Sequence, residues 1–124
     1  MRLLLDTNAF LWWRGDATQL PERVAHEVRN PENDIVVSIA TLWEIAIKRS
    51  LGKLQFLEDF AEVMADEDFT LLPIGYTHLL ALESLPLHHR DPFDRLLIAQ
   101  SIAERIPIAT SDRNFAAYAV ETFW

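Results

Sequence analysis

The chain has 124 residues and no cysteine, with 19 acidic against 11 basic residues for a formal net charge of −8. That length suits one domain over residues 1–124, and the lack of Cys excludes a disulfide framework and a thiolate metal site. Half of the residues are hydrophobic, enough for a packed core, and the low Gly and Pro content argues against a disordered chain.

The opening apolar run, Leu3 to Leu5, ends at Asp6 and is too short for a secretion signal. No stretch approaches the roughly 20 apolar residues that span a bilayer. The expectation is a soluble, cytoplasmic protein with no membrane association. An acidic balance counts against a polyanionic partner unless the acids cluster around divalent cations, which reverse the local sign. Of the 11 basic residues 9 are Arg, the side chain that best matches phosphate geometry.

In chain order, Arg2 to Leu5 reads as a short strand ending at Asp6-Thr7-Asn8. Phe10 to Trp13 predicts a short helix, broken by Gly15-Asp16. Pro21 suits a first helical position, and Glu22 to Arg29 continues a helix until Asn30-Pro31. Asp34 to Ser38 is an apolar, β-branched run and reads as a buried strand. Ser38 then caps a helix over Ile39 to Leu51 that stops at Gly52. A helix over Leu57 to Ala65, a strand over Thr70 to Ile74 and a helix over Tyr76 to Ser84 follow. Pro86 to Arg90 is a loop, and Asp91 caps a helix from Pro92 to Glu104. Ile106 to Thr110 predicts a fourth strand, Phe115 to Tyr118 a helical turn, and Val120 to Phe123 a last strand.

Strands alternating with helices imply an α/β fold, a parallel sheet covered on both faces. Ligands of such sheets bind beyond the carboxyl ends of the strands. Asp6 follows the first strand and Asp112 the fourth. Glu44 lies about a turn and a half into the helix after the second strand. Asp94 lies in the first turn of a crossover helix whose N-terminus begins near the same edge. Four carboxylates on separate elements can therefore converge.

Hard cations such as Mg²⁺ or Mn²⁺ need oxygen ligands of this kind. Two such ions roughly 4 Å apart serve phosphodiester cleavage. Thr7, Ser38 and Thr110 sit beside the acidic positions and can orient carboxylates or water from behind.

Each acid also has an ordinary structural reading. Glu44 with Thr41 matches a capping box, Asp94 is a helix-start acid, and Asp112 can begin a turn before Asn114. Asp6, directly after a buried strand, is the hardest to explain that way.

At these residues the chain resembles a PIN-domain nuclease, and within that family the VapC-type toxins of bacterial toxin–antitoxin pairs. The matching segments are LLLDTNAFLW (Leu3 to Trp12), VSIATLWEIAIKRSLGKL (Val37 to Leu54), HRDPFDRLLIAQS (His89 to Ser101) and IPIATSDRNF (Ile106 to Phe115). DTN alone is weak, but four segments in order over nearly the whole chain are specific.

The resemblance implies a three-layer α/β/α sandwich with a central, mainly parallel sheet, and Mg²⁺- or Mn²⁺-dependent endoribonuclease activity. Residue by residue, Asp6 matches the first acid, Glu44 the second, Asp94 the third and Asp112 the less uniform fourth. It further implies an RNA substrate (tRNA, rRNA or mRNA), a homodimer, and a VapB-type antitoxin that holds the enzyme inactive.

Arg90, Arg95 and Arg113 flank the acids and are candidates for holding RNA phosphates, against the plain reading of solvated arginines. His88 and His89 read as surface more readily than as proton carriers. Trp12, Trp13, Trp43 and Trp124 suit a core or a protein interface better than base stacking. Glu58 to Asp68 carries six acids and reads as a solvated helix face and loop.

A receiver-type signalling domain would need a lysine after a late strand, but the only lysines are Lys48 and Lys53. An aspartate-nucleophile phosphatase would need an acid where Asn8 stands. A degenerate PIN scaffold acting by protein binding is disfavoured by four intact acids.

Overall fold

The computed structural model describes residues Met1–Trp124, and its elements alternate as the sequence predicts. They are β1 (Arg2–Leu5), α1 (Thr7–Arg14), α2 (Glu22–Arg29), β2 (Asp34–Ser38), α3 (Ile39–Ser50), α4 (Phe60–Glu67), β3 (Thr70–Leu72), α5 (Tyr76–Glu83), α6 (Pro92–Glu104), β4 (Ile108–Ala109) and β5 (Thr122–Phe123). Short 3₁₀ turns cover Ala17–Gln19 and Arg113–Ala117. No helix is long and apolar enough to cross a membrane.

The strands form one five-stranded sheet in the order β3-β2-β1-β4-β5, and every pairing is parallel. Leu5 pairs with Val37 on one side and Ala109 on the other, so β1 is the centre of the sheet. The chain passes from β1 to β2 on one side and returns later to lay β4 on the other. The carboxyl ends of β1 and β4 thus flank the point where strand order reverses, the place such sheets leave a crevice.

Alternation along the strands builds two cores. Leu3, Leu5, Ile35 and Val37 face one way, against Phe10 of α1, Val24 and Val28 of α2 and Val63 of α4. Leu4, Val36, Leu72 and Ile108 face the other way, against Leu96, Leu97 and Ile98 of α6. β1 is buried on both faces, which is why it reads as an unbroken leucine run rather than an alternating one. Helices on both faces of the sheet give three layers. α3 contributes to both cores, with Ala40 on one side and Leu42 and Ile45 on the other.

Where element ends differ from the sequence reading, caps and prolines account for it. α1 starts at Thr7, not Phe10, because Asp6 accepts from the Ala9 amide at 2.8 Å. Pro21 is the cap of α2 rather than its first residue. α4 begins after Asp59, whose carboxylate accepts from the Glu62 amide. It ends at Asp68, which takes the left-handed conformation with no glycine to announce it. β3 stops before Pro73 and β4 begins after Pro107, neither of which has an N–H to give to the ladder.

Three of the six acids expected to be a solvated face are tied down instead. Arg14 at the end of α1 pairs with Glu58, Asp66 and Glu67, and Trp13 Nε1 donates to Glu67 at 2.7 Å. This clasp joins α1 to α4. Trp12 packs against Trp124, with ring centroids 5.8 Å apart, and only Trp43 is largely exposed among the tryptophans.

A second polar tie joins α3 to α6. Ser38 caps α3 by accepting from the Ala40 amide and donates its own proton to Gln100 of α6, a fully buried side chain. Gln100 Nε2 donates to the Pro73 carbonyl at 3.3 Å. Replacing Gln100 by Leu keeps the volume but leaves the Ser38 and Pro73 groups without a partner. The expected loss is about 1–3 kcal/mol of folding stability, read from urea denaturation midpoints. An unchanged midpoint would mean that the tie contributes nothing.

Candidate active site

The four predicted acids meet. Asp6, Glu44, Asp94 and Asp112 line one polar cavity of about 190 Å³, together with Thr7, Asn8, Lys48 and Asp91. No hydrophobic residue lines it. Each acid arrives by its own route: the end of β1, the second turn of α3, the first turn of α6, and the turn after β4.

Local chemistry aims each side chain. Asp6 spends Oδ1 on the Ala9 amide, and Asp112 spends Oδ1 on the Asn114 amide at 2.9 Å. In both, the cap occupies one oxygen and leaves the other uncapped, so Asp112 begins a turn and still lines the cavity. Asp91 Oδ1 accepts from the Phe93 and Asp94 amides. The capping of α6 therefore belongs to Asp91, and the carboxylate of Asp94 is released from that duty. Glu44 is not part of a capping box: Ser38 caps α3, and Glu44 Oε1 accepts from Thr7 Oγ1 at 2.8 Å. Thr41 stands behind Thr7 at 3.2 Å.

Of the three hydroxyls expected to support the acids, Thr7 does so directly. The Thr110 hydroxyl accepts from the Asp112 amide at 3.0 Å and lies close enough to Asp6 to lower its pKa. Ser38 does not touch an acid. Its hydroxyl is consumed by the helix cap and by Gln100, because β2 ends with that side chain turned into the α3–α6 interface.

The arginines lie outside the cavity. Arg95 Nη1 donates to the Pro86 carbonyl at 3.0 Å, to the His89 carbonyl and to Tyr118 Oη. Arg90 and Arg95 line a neighbouring hollow with Leu82, Leu87 and Pro92, while Arg113 is exposed. Arg95 thus anchors the loop before α6.

Three residues went unassigned in the sequence reading. His89, read there as surface, points into the acids: Nε2 lies 3.0 Å from Asp94 Oδ2 and 3.1 Å from Asp112 Oδ2. The Asp91 amide donates to Nδ1 at 3.2 Å, so the ring carries its proton on Nε2, facing the carboxylates. Tyr118 Oη accepts from the His88 and His89 amides and fixes the loop in that pose. Lys48 donates to Glu44 Oε2 at 2.8 Å, an i,i+4 pair whose spacing was visible in the sequence. Asp91 was visible only as a cap.

Crowding shifts the acids. Burial raises the Asp6 carboxyl to about 6, helped by the charges of Asp112 and Glu44, against the Thr110 hydroxyl and the Ala9 amide. Asp94 is pushed up to about 7, chiefly by burial and by Asp91, while His89 opposes the rise. Lys48 is raised by its hydrogen bond to Glu44.

Such a donor set suits a divalent cation. It is made of hard carboxylate oxygens, with those of Asp94 and Asp112 within 4.8 Å of one another and the His89 Nε2 proton facing both.

A carboxyl with a pKa higher in the folded than in the unfolded state binds more protons when folded, so stability falls as pH rises between the two values. Without metal, the melting temperature should decline from about pH 4 to about pH 7, through the raised Asp6 and Asp94 carboxyls. Asp94→Asn should flatten that decline and melt above wild type at the higher pH, since it removes a charge from a like-charged cluster. Mn²⁺ should raise the wild-type melting temperature and move the variant much less. Thermal melts in EDTA and in Mn²⁺ decide it: a variant less stable in EDTA at the higher pH would make Asp94 a helix-start acid only.

The PIN domain family model matches residues 3–121 of the chain. No curated protein matches the sequence. Among solved structures, DNA-bound VapBC of Salmonella typhimurium superposes with a TM-score of 0.73 at 16% identity, covering 99% of this chain and 97% of that one. VapBC2 of Rickettsia felis, bound to a promoter DNA fragment, gives 0.69 at 15% identity, with 99% and 98% covered. FitAcB of Neisseria gonorrhoeae gives 0.67 at 20% identity, with 98% and 96% covered. At these identities the likeness establishes the fold. With the family match spanning nearly the whole sequence, the chain belongs to the PIN domain family, whose members are generally nucleases.

Proposed function

We propose that this chain is a cytoplasmic, Mg²⁺- or Mn²⁺-dependent endoribonuclease that acts as the VapC-type toxin of a toxin–antitoxin pair. One observation carries the reading: four carboxylates from four separate elements converge, with nothing apolar between them, at the switch point of a parallel sheet. A structural role does not require such a gathering, which raises two of the four toward neutrality.

In this reading Asp6, Glu44, Asp94 and Asp112 hold the cation. When bound, it supplies positive charge to the phosphodiester and lowers the pKa of water. The rest is the work of the chain's own side chains. Thr7 and Thr110 orient Glu44 and Asp6 through their hydroxyls. His89 presents its Nε2 proton between Asp94 and Asp112 and so holds the loop-borne and helix-borne acids at one spacing. Arg90, Arg95 and Arg113 are the candidates for guiding RNA phosphates outside the cavity, Arg95 alongside its loop-anchoring bonds. The substrate is RNA (tRNA, rRNA or mRNA), the active form is a homodimer over a single domain, and a VapB-type antitoxin is the partner.

Asp6→Asn, Glu44→Gln and Asp94→Asn should each lower metal-dependent RNA cleavage by roughly 100-fold or more while the protein stays folded. Asp112→Asn should be milder. Cleavage of a defined RNA by purified variants, checked by circular dichroism, measures this. Any of the first three that keeps most of its activity loses its assignment.

The biological role has a separate test. Expression of the chain alone should arrest growth, and co-expression with the product of a neighbouring gene should relieve the arrest through a stable complex. Harmless expression of the wild-type chain without any antitoxin would refute the toxin role and leave the nuclease standing.

A further inference from the structure

The acidic cavity contains one cation. Of its eight lining residues five are carboxylates, and only Lys48 is basic. An i,i+4 Glu–Lys pair on a helix surface is ordinarily a small stabilising device. This pair differs in three ways.

Its acid is buried: the Glu44 side chain is 10% exposed, whereas Lys48 is 48% exposed and approaches from the solvent side. Glu44 is also already positioned without it, because Thr7 donates to its other oxygen and Thr41 backs Thr7. Finally, Lys48 makes one hydrogen bond to the protein, although an ammonium group has three to give. Two N–H groups remain at the mouth of the cavity.

Charge counting leads to the same residue. Even two divalent ions would leave the five carboxylates one charge short of neutrality, before a phosphate enters. Arg90, Arg95 and Arg113 do not line the cavity and cannot supply that charge there.

We propose that Lys48 is a substrate-contacting residue, whose ammonium donates to a non-bridging oxygen of the RNA phosphate held over the acidic cavity. The proposal rests on the nuclease reading for the identity of the substrate. Glu44 keeps the ammonium parked at the cavity mouth, and the free N–H groups meet the incoming phosphate there. No proton needs to move, so the contribution is positional and electrostatic.

The test separates substrate contact from a structural role by reading metal binding and RNA binding independently. Lys48→Met keeps the aliphatic stem and removes the charge, and Lys48→Arg keeps the charge. Titration calorimetry of Mn²⁺ into metal-free protein should show that Lys48→Met binds the metal as tightly as wild type or tighter, since a like charge has left the site. Fluorescence anisotropy of a labelled single-stranded RNA, in Ca²⁺ to hold the site without turnover, should show about tenfold or more weaker binding. The slope of log affinity against log salt should be shallower by about 0.7.

Lys48→Arg should recover most of the RNA affinity. In Mn²⁺, the cleavage of that RNA should fall for Lys48→Met through KM more than through kcat. Metal and RNA affinity falling together would overturn the proposal, because Lys48 would then only position Glu44. RNA affinity and salt slope unchanged in Lys48→Met would overturn it as well. Wild-type protein that binds this RNA through Lys48 yet never cleaves RNA would sink the nuclease reading and leave the contact intact.

Discussion

Five carboxylates share one cavity at the carboxyl edge of a parallel sheet, and their mutual repulsion is what the surrounding structure has to contain. Like charges a few ångströms apart, partly desolvated, disfavour joint ionisation. The chain offsets this with helix starts. Asp6 caps α1, Asp91 caps α6 and Asp112 caps the turn after β4, so each accepts backbone N–H groups at the positive end of a helical segment. Three of the five acids are thus partly compensated by backbone that had to be capped in any case. Capping occupies one oxygen of each carboxylate, and the geometry of an N-cap turns the other outward.

The remaining two acids are held differently, and the contrast assigns work to their neighbours. Glu44 is in mid-helix, where no free N–H is available, and is held by Thr7, while Lys48 pairs with its other oxygen from the solvent side. Asp94 sits in the first turn of α6, but Asp91 has taken the amides there. It is left with His89 as its close polar partner and carries the higher of the two raised pKa values. His89 in turn depends on Tyr118 and Arg95, which fasten the loop from Pro86 to His89. Residues outside the cavity therefore reach the acids through one imidazole.

Much of this was legible in the sequence because it depends on local rules. The strand-helix alternation, the buried Leu3–Leu5 run and the acids at strand ends are read from patterning alone, and they placed all four acids at one edge. The all-parallel order followed from alternation as well. What escaped notice depends on contacts between distant segments. His89 looks like a loop histidine until Tyr118, 29 residues away, fixes its backbone. Ser38 and Gln100 are 62 residues apart, so a serine that seemed free to support an acid is bound elsewhere. Arg14 collecting Glu58, Asp66 and Glu67 is likewise invisible to a window of neighbouring residues. The helix end at Asp68 was blurred for another reason: it adopts the left-handed conformation that a sequence normally signals with glycine.

The acidity of the chain, at first an argument against a polyanionic substrate, takes a different meaning once it is located. Five acids against one lysine in the cavity make up four of the eight excess negative charges. Half of the net charge is therefore concentrated in one small polar hollow rather than spread as a repulsive surface. A site of that kind attracts cations strongly, and two divalent ions together with Lys48 would cancel its formal negative charge before a phosphate approaches. The global charge then describes the metal-free protein, whereas in the proposed reaction a phosphate would meet the field of a loaded site with Lys48 at its mouth. On this view an acidic pI and a phosphodiester substrate are compatible, because the acids that lower the pI include those proposed to hold the cation.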